Sequence, residues 1–447
     1  MRILMLSWEY PPQSVGGLAR HVEDLAISLA RLRHDVHVLT IGRPGQATES
    51  RENGLTVHRV EAYPVHAPDF LIWVLQLNAR FLEEAMIIMR KYGPFQIIHA
   101  HDWLVAFTGR ALKHAHRLPL IATIHATEAG RNRGLYNDMQ RYINSVEWWL
   151  TYEAWRVIVC SQHMRQEVQG LFQLPADKIT IIPNGVYSQN FRTGAVDPTV
   201  RQRYAAPHEK IIFFVGRLVI EKGVQVLLEA MPKILSACPE AKLVVAGQGP
   251  MEGQLQNRAR ELGISHKVYF AGYIDDHTRN QLYRAARVAV FPSLYEPFGI
   301  VALEAMAAGT PVVASETGGL TEIITHGVDG MRAFPGNAVS LADNILAVLR
   351  DDALAERLRT NGHRLVKDVY DWENIARRTV DVYQEVYSQY RRTSWPERPS
   401  VVARFWRFTP STAAEPPREQ PLPLVGRYDL PQRRAALVNQ RRGRGEG

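Results

Sequence analysis

The chain has 447 residues, 46% hydrophobic and 22% charged, with a formal net charge of +8. That length accommodates two domains and a tail, and the composition is that of a globular protein rather than a fibrous or disordered one. No run of eighteen apolar residues occurs, so no membrane span is expected, and the apolar start 3–6 is too short for a signal-peptide core.

Residues 2–7 read as a short strand ending in Trp8-Glu9-Tyr10-Pro11-Pro12, a loop that regular structure excludes. Gly16-Gly17 follow, and an apolar period predicts a helix over 18–32. Strands are expected at 36–41 and 56–60, and a helix over 69–90. A strand at 97–100 leads into His101-Asp102-Trp103 and a helix to about 114. The strand 120–124 ends at His125, and a long helix covers 138–155. After the strand 157–160, Ser161 suits the cap of the next helix, and the strand 179–182 closes at Pro183-Asn184-Gly185. The two cysteines, Cys160 and Cys238, read as buried thiols of a protein in a reducing compartment, without a disulfide framework.

Polar, weakly patterned sequence over 189–210 reads as a linker, after which the alternation restarts. The strand 211–215 precedes Gly216-Arg217-Leu218 and Glu221-Lys222-Gly223, with a helix over 224–235. Strands follow at 243–246, 268–271, 288–291 and 311–314. Pro292 and Pro297 forbid a helix between them, Gly299 opens one, and Gly309 stops it. A last helix over 371–390 carries Trp372, Tyr383, Tyr387 and Tyr390, expected to pack across the domains. In 393–447, ten arginines face five acids, a balance of +5 that leaves +3 for the other 392 residues. The basic character therefore belongs to a Pro- and Arg-rich tail read as disordered, and nucleic-acid binding by the body is not expected.

Strands alternating with helices predict an α/β protein with parallel, doubly wound sheets. The divisions are 1–188 and 189–370 as two Rossmann-like domains, 371–392 as a C-terminal helix, and 393–447 as the tail. In such sheets ligands bind beyond the carboxyl ends of the strands. Glu9, Gly16, Gly17, Asp102, His125, Arg217, Glu296, Gly318 and Gly319 all fall at such ends, so the two domains are expected to face each other across a cleft. Paired glycines before a helix either present N–H groups to a phosphate or make a plain turn. Arg217 and Lys222 beside a helix start oppose its dipole, a conflict that a bound diphosphate would resolve. Glu304 is the single charge in an apolar, small-residue helix and needs partners. Two carboxylates beside a helix-terminal anion site suit a ligand rich in hydroxyls and phosphates, such as a nucleotide sugar. His99-x-His101-Asp102 has metal-like spacing, but no further histidine or acid cluster completes a site. No metal is therefore expected: His99 is read as packed and Asp102 as facing the cleft.

The run from Glu296 through Phe298, Gly299 and Ile300 to Glu304, with Gly318-Gly319-Leu320, Gly216-Arg217-Leu218 and Glu221-Lys222-Gly223, resembles the retaining glycosyltransferases of family four, which have the GT-B fold. The likeness covers roughly residues 1–390. Trp8-Glu9-Tyr10, Gly16-Gly17-Leu18 and His101-Asp102-Trp103 are similar to the glycogen and starch synthase branch. Ser14 stands where those enzymes carry a Lys, and Glu304 supplies a glutamate that bacterial ADP-glucose synthases lack, so the match is to the wider family.

The resemblance implies transfer of a hexose, glucose first, from UDP- or ADP-glucose to a glucan or sugar acceptor in the cytoplasm. No metal or cofactor beyond the nucleotide sugar is implied. His125, Glu296, Arg217 and Lys222 would act on the reacting groups: the two cations on the diphosphate, Glu296 on the sugar hydroxyls, His125 orienting the sugar. Glu304 would hold the ribose. Phe298, Gly299, Ile300 and the N–H groups at Gly16, Gly17, Gly318 and Gly319 would complete the donor site, with Glu9 and Asp102 on the acceptor side. The C-terminal helix would cross back to the first domain. Alternatives are another acceptor (a maltosyl phosphate, a free sugar or a lipid-linked sugar), a nucleotide-sugar epimerase of the same architecture, and a non-catalytic nucleotide-sugar binder.

Overall fold

The computed structural model describes residues 1–13, 16–191 and 197–395. The tail reading for 393–447 falls almost entirely outside them.

Two sheets organise the described chain. The first has eight strands: β1 (Arg2–Leu6), β2 (Asp35–Ile41), β3 (Glu49–Glu52), β4 (Leu55–Val60), β5 (Ile97–His101), β6 (Leu120–Ile124), β7 (Arg156–Val159) and β8 (Ile179–Ile181), in the order β3-β4-β2-β1-β5-β6-β7-β8. The second has six: β9 (Lys210–Val215), β10 (Ala241–Ala246), β11 (Val268–Gly272), β12 (Val288–Phe291), β13 (Val312–Ser315) and β14 (Met331–Ala333), in the order β11-β10-β9-β12-β13-β14. Neighbours pair in parallel except β3 with β4, which run antiparallel. β3 reads Glu-Ser-Arg-Glu, alternates exposed and half-buried, and lies at the sheet edge. Its strand state comes from its neighbour's hydrogen bonds rather than from apolar pattern, so the sequence did not announce it.

The two-residue period of a strand sorts side chains into layers. In β1, Leu4 and Leu6 join the layer that includes the helix Phe70–Tyr92, while Ile3 and Met5 face the helix Gly17–Arg31. That second layer also takes Trp372, Ile375, Ala376, Tyr383 and Val386 of the helix Trp372–Arg391, so the last helix does return to the first sheet. Tyr383 Oη lies 2.6 Å from His99 Nδ1, and Arg156 pairs with Glu385 at 2.7 Å.

The stretch expected as linker is more ordered than its composition suggested. It holds a short turn of helix, Ser188–Phe191, and the helix Pro198–Tyr204, with Asp197 accepting from Thr199 N as its cap. The helices Ala338–Arg350 and Asp352–Val369, unassigned by the reading above, flank the second sheet with amphipathic faces. Among the described residues no helix is long and apolar enough to cross a membrane.

The halves meet through polar contacts. Arg20 forks onto both Asp276 oxygens at 2.8 Å, Ser161 Oγ donates to Pro297 O at 2.7 Å, and Glu322 accepts from the N–H groups of Gln162 and His163, each at 2.8 Å. The last contact places a carboxylate on the positive end of the helix Gln162–Phe172.

Candidate functional site

The strand order decides what meets at the cleft. β9 and β12 are neighbours, so the loops after them share one corner. The first delivers Arg217 and Lys222, the second Glu296. Lys222 Nζ donates to Glu296 Oε2 at 2.7 Å, and Ser293 Oγ donates to the same oxygen at 3.0 Å. Arg217 is half-exposed beside Glu221 at 3.6 Å. A paired ammonium and carboxylate with an accessible guanidinium thus sit at the start of the helix Ile300–Ala308, where the N–H groups of Ile300 and Val301 precede the first helical hydrogen bond, Ala302 N to Gly299 O.

Backbone geometry sets that helix start. Gly299 has φ of 110°, a left-handed conformation that disfavours any side chain, and an added Cβ would lie 2.6 Å from Leu320 Cδ2. The Gly318-Gly319 pair has a different part from the one expected. A Cβ on Gly318 would lie 2.0 Å from Glu296 O, and Gly319 N already donates to Glu296 O at 2.9 Å. The pair braces the Glu296 loop, and the Gly319 N–H is not available to a phosphate. Phe298 likewise turns its ring inward, edge-on to Tyr370 at 6.0 Å, leaving its backbone to the site.

Glu304 has the partners its burial demands. Tyr283 Oη donates to it at 3.1 Å, and Arg279 and Arg20 lie at 3.8 and 4.0 Å. Its carboxylate borders an interdomain cavity of 230 Å³ also lined by Arg20, Asp24, Asp276 and Arg279. Arg20 comes from the first domain, on the helix opened by Gly16-Gly17. The two helix starts nearly touch: a Cβ on Gly17 would lie 3.3 Å from Ile300 Cδ1. Gly16 N donates to buried Glu9 Oε2 at 3.3 Å.

Across the cleft, β5 and β6 end in Asp102 and His125. Asp102 is buried, with φ of 60°, and its Oδ1 accepts from His125 N at 2.8 Å. It therefore positions the His125 backbone rather than facing the cleft as expected. Burial pushes its carboxyl up to about 6, with Arg131 pulling back. His125, half-buried, is held down to about 3 by desolvation and then by Arg131, so it is a neutral ring at working pH.

The reading that no histidine cluster completes the His99-x-His101 pair is corrected. His21 reaches the cluster from the helix Gly17–Arg31, and His21, His101 and His125 bring ligand-capable nitrogens within 4.8 Å of one another. His99 is packed as expected, held by Tyr383 and by Thr123 Oγ1 at 2.7 Å. The sequence reading missed His21 and Arg20. The signal was their place among the first five residues of a helix whose N-terminus points at the same edge.

Two Rossmann-like domains with a cation–carboxylate corner and a glycine-opened helix facing a histidine-lined wall have the architecture of the GT-B glycosyltransferases. Family comparison agrees: residues 15–189 match the model described as glycosyltransferase family 4, and 197–365 that of glycosyl transferases group 1. The chain is 43% identical over 388 residues to an uncharacterized glycosyltransferase of Methanocaldococcus jannaschii, covering 86% of this chain and 98% of that one. It is 37% identical over 399 residues to a glycogen synthase of Mycobacterium tuberculosis, covering 86% and 94%. Among solved structures, sucrose-phosphate synthase from Thermosynechococcus elongatus superposes with a TM-score of 0.76 at 27% identity, over 87% of this chain and all of that one. The chain belongs to glycosyltransferase family four.

Proposed function

We propose that this protein is a retaining, metal-independent hexosyltransferase that moves glucose from UDP- or ADP-glucose to a glucan or sugar acceptor in the cytoplasm. The observation that carries the reading is the Lys222–Glu296 contact at 2.7 Å beside the start of the helix Ile300–Ala308. A cation there meets a diphosphate, and a carboxylate there meets sugar hydroxyls.

In this reading the bond between the anomeric carbon and the β-phosphate oxygen breaks, and the electron pair leaves with the nucleoside diphosphate. Arg217, Lys222 and the helix N-terminus stabilise that growing charge, which fixed cations and dipoles do without reorganising. The acceptor hydroxyl bonds to the anomeric carbon on the face the diphosphate leaves, and its proton passes to a departing phosphate oxygen. Neutral His125 orients the sugar, and Glu304, with Arg20 and Arg279 alongside, takes the ribose. The charge is balanced by side chains, so the reading invokes no divalent ion. The glycogen synthase relative supports a glucan acceptor. The likeness to sucrose-phosphate synthase supports a second reading, a small phosphorylated sugar as acceptor.

A donor-by-acceptor screen with chelator present tests the proposal. UDP-, ADP- and GDP-glucose are set against glycogen, maltooligosaccharides, sugar phosphates and free sugars. Nucleoside diphosphate release that requires an acceptor and yields the α-linked product supports it. Loss of donor without acceptor points to an epimerase, and binding without turnover to a non-catalytic role.

A further inference from the structure

The histidine wall carries a second possibility. His101 Nδ1 and His125 Nε2 stand 3.3 Å apart. In a tetrahedral site with metal–nitrogen bonds of about 2.0–2.1 Å, neighbouring ligand atoms are separated by roughly 3.3–3.4 Å. One ring nitrogen from each of His21, His101 and His125 lies within 4.8 Å of the other two.

Neither His21 nitrogen meets a hydrogen-bond partner at normal geometry, Asn184 being alongside, and Nε2 of buried His101 has none. Paired buried polar atoms are the rule, so the His21 ring, buried beside the other two without a normal hydrogen bond, calls for an explanation. His99 is not a candidate ligand. Both its nitrogens are bonded, and its ring lies over His101 at 4.2 Å, closing the inner side. His21 is 5% exposed and His101 0%, while His125 is half-buried, so access is from the cleft, where a fourth ligand position would open. Asp102 is already engaged with the His125 backbone, which leaves a set of imidazoles. Such a set suits zinc, cobalt, nickel or copper, and not the oxygen-seeking magnesium or calcium.

We propose that His21, His101 and His125 form a site for one borderline divalent transition-metal ion, and that occupancy withdraws His125 from the sugar and inhibits transfer. The inhibitory half rests on the function proposed above; the binding half does not.

The test uses the full chain stripped with chelator and titrated with Co²⁺ and with Zn²⁺. The wild type should bind one ion per chain, and cobalt should show the visible absorption of a low-coordinate imidazole site, undisturbed by excess Mg²⁺. His21→Phe keeps an aromatic ring against Trp372, which lies 5.4 Å from the His21 ring. It should weaken metal affinity about tenfold or more while leaving the metal-free melting temperature unchanged. Zinc inhibition of turnover should shift by the same factor. Should His21→Phe not fold, His101→Gln takes its place. No stoichiometric binding by the wild type, or equal binding by the variant, overturns the site. Binding without inhibition of an active enzyme overturns the link to His125.

Discussion

Lys222 and Glu296, 74 positions apart in the chain, meet at 2.7 Å because β9 and β12 are adjacent in the second sheet. The pair leaves an ammonium and a carboxylate poised where a sugar diphosphate would part them. The first prediction follows. Glu296→Gln removes the charge from the group proposed to contact the reacting sugar, so turnover should fall more than donor affinity does. Lys222→Met should instead lower both, by about tenfold to a hundredfold each, the range of a charge-assisted hydrogen bond of roughly 1.5–3 kcal/mol. Steady-state kinetics and calorimetric donor binding on both variants check this.

Glu304→Gln should weaken donor binding by about tenfold to a hundredfold, again the loss of charged hydrogen bonds to hydroxyls. Fold stability should hardly change, because Arg20 and Arg279 both keep Asp276 as a partner at 2.8 and 2.9 Å. Melting temperature and donor affinity on one preparation separate this from a purely structural role, in which the variant melts early and its folded fraction binds normally.

Gly318→Ala tests the brace. Its φ is +50° and the new Cβ would start 2.0 Å from Glu296 O, so the loop must shift. A left-handed non-glycine residue costs on the order of 1–3 kcal/mol, and the displaced loop carries Glu296. Both melting temperature and turnover should drop. Unchanged turnover in folded protein would remove this pair from the site.

The first sheet should be sensitive to acid. His37 and His58 are each 1% exposed, with Nδ1 and Nε2 2.9 Å apart and rings stacked at 5.2 Å. Burial lowers both; His37 and Lys91 lower His58 further, to about 4, against Glu49, while Arg2 lowers His37 against Asp35 and Glu49. The unfolded chain takes up these protons near pH 6.5 while the folded chain does not, so unfolding binds protons below that pH. Stability conferred by the neutral pair is present above about 6.5 and is lost toward 4, at up to about 1.4 kcal/mol per pH unit per group. Thermal melts from pH 7.5 to 4.5 should show this fall, and His58→Gln should flatten it.

Much of this was legible before any coordinates. The helix Ile300–Ala308 begins and ends at glycines with φ of 110° and 77°, as the spacing of Gly299 and Gly309 implied. Residues at strand ends were found because they are chemically out of place after apolar runs. What the sequence could not reveal depends on strand order and close approach. The Lys222–Glu296 pair needs β9 beside β12, and His21 joins His101 only once the helix Gly17–Arg31 folds back over the first sheet. Gly318-Gly319 looked like a phosphate loop because glycines that admit a ligand and glycines that admit another backbone are spelled alike. Glu304 stood out by the opposite logic: a lone charge among small apolar residues demanded partners, and Tyr283, Arg279 and Arg20 supply them.

The central claim is that the Lys222–Glu296 corner departs a nucleoside diphosphate from a donor sugar. Its most direct test is nucleoside diphosphate release from UDP- and ADP-glucose, with maltooligosaccharide or sugar-phosphate acceptors and chelator present, by wild type and Lys222→Met side by side. Acceptor-dependent release by the wild type, falling at least about tenfold in a variant that melts normally, is the predicted result. Release that is absent from well-folded wild type across the panel, or equal in the two proteins, would contradict it.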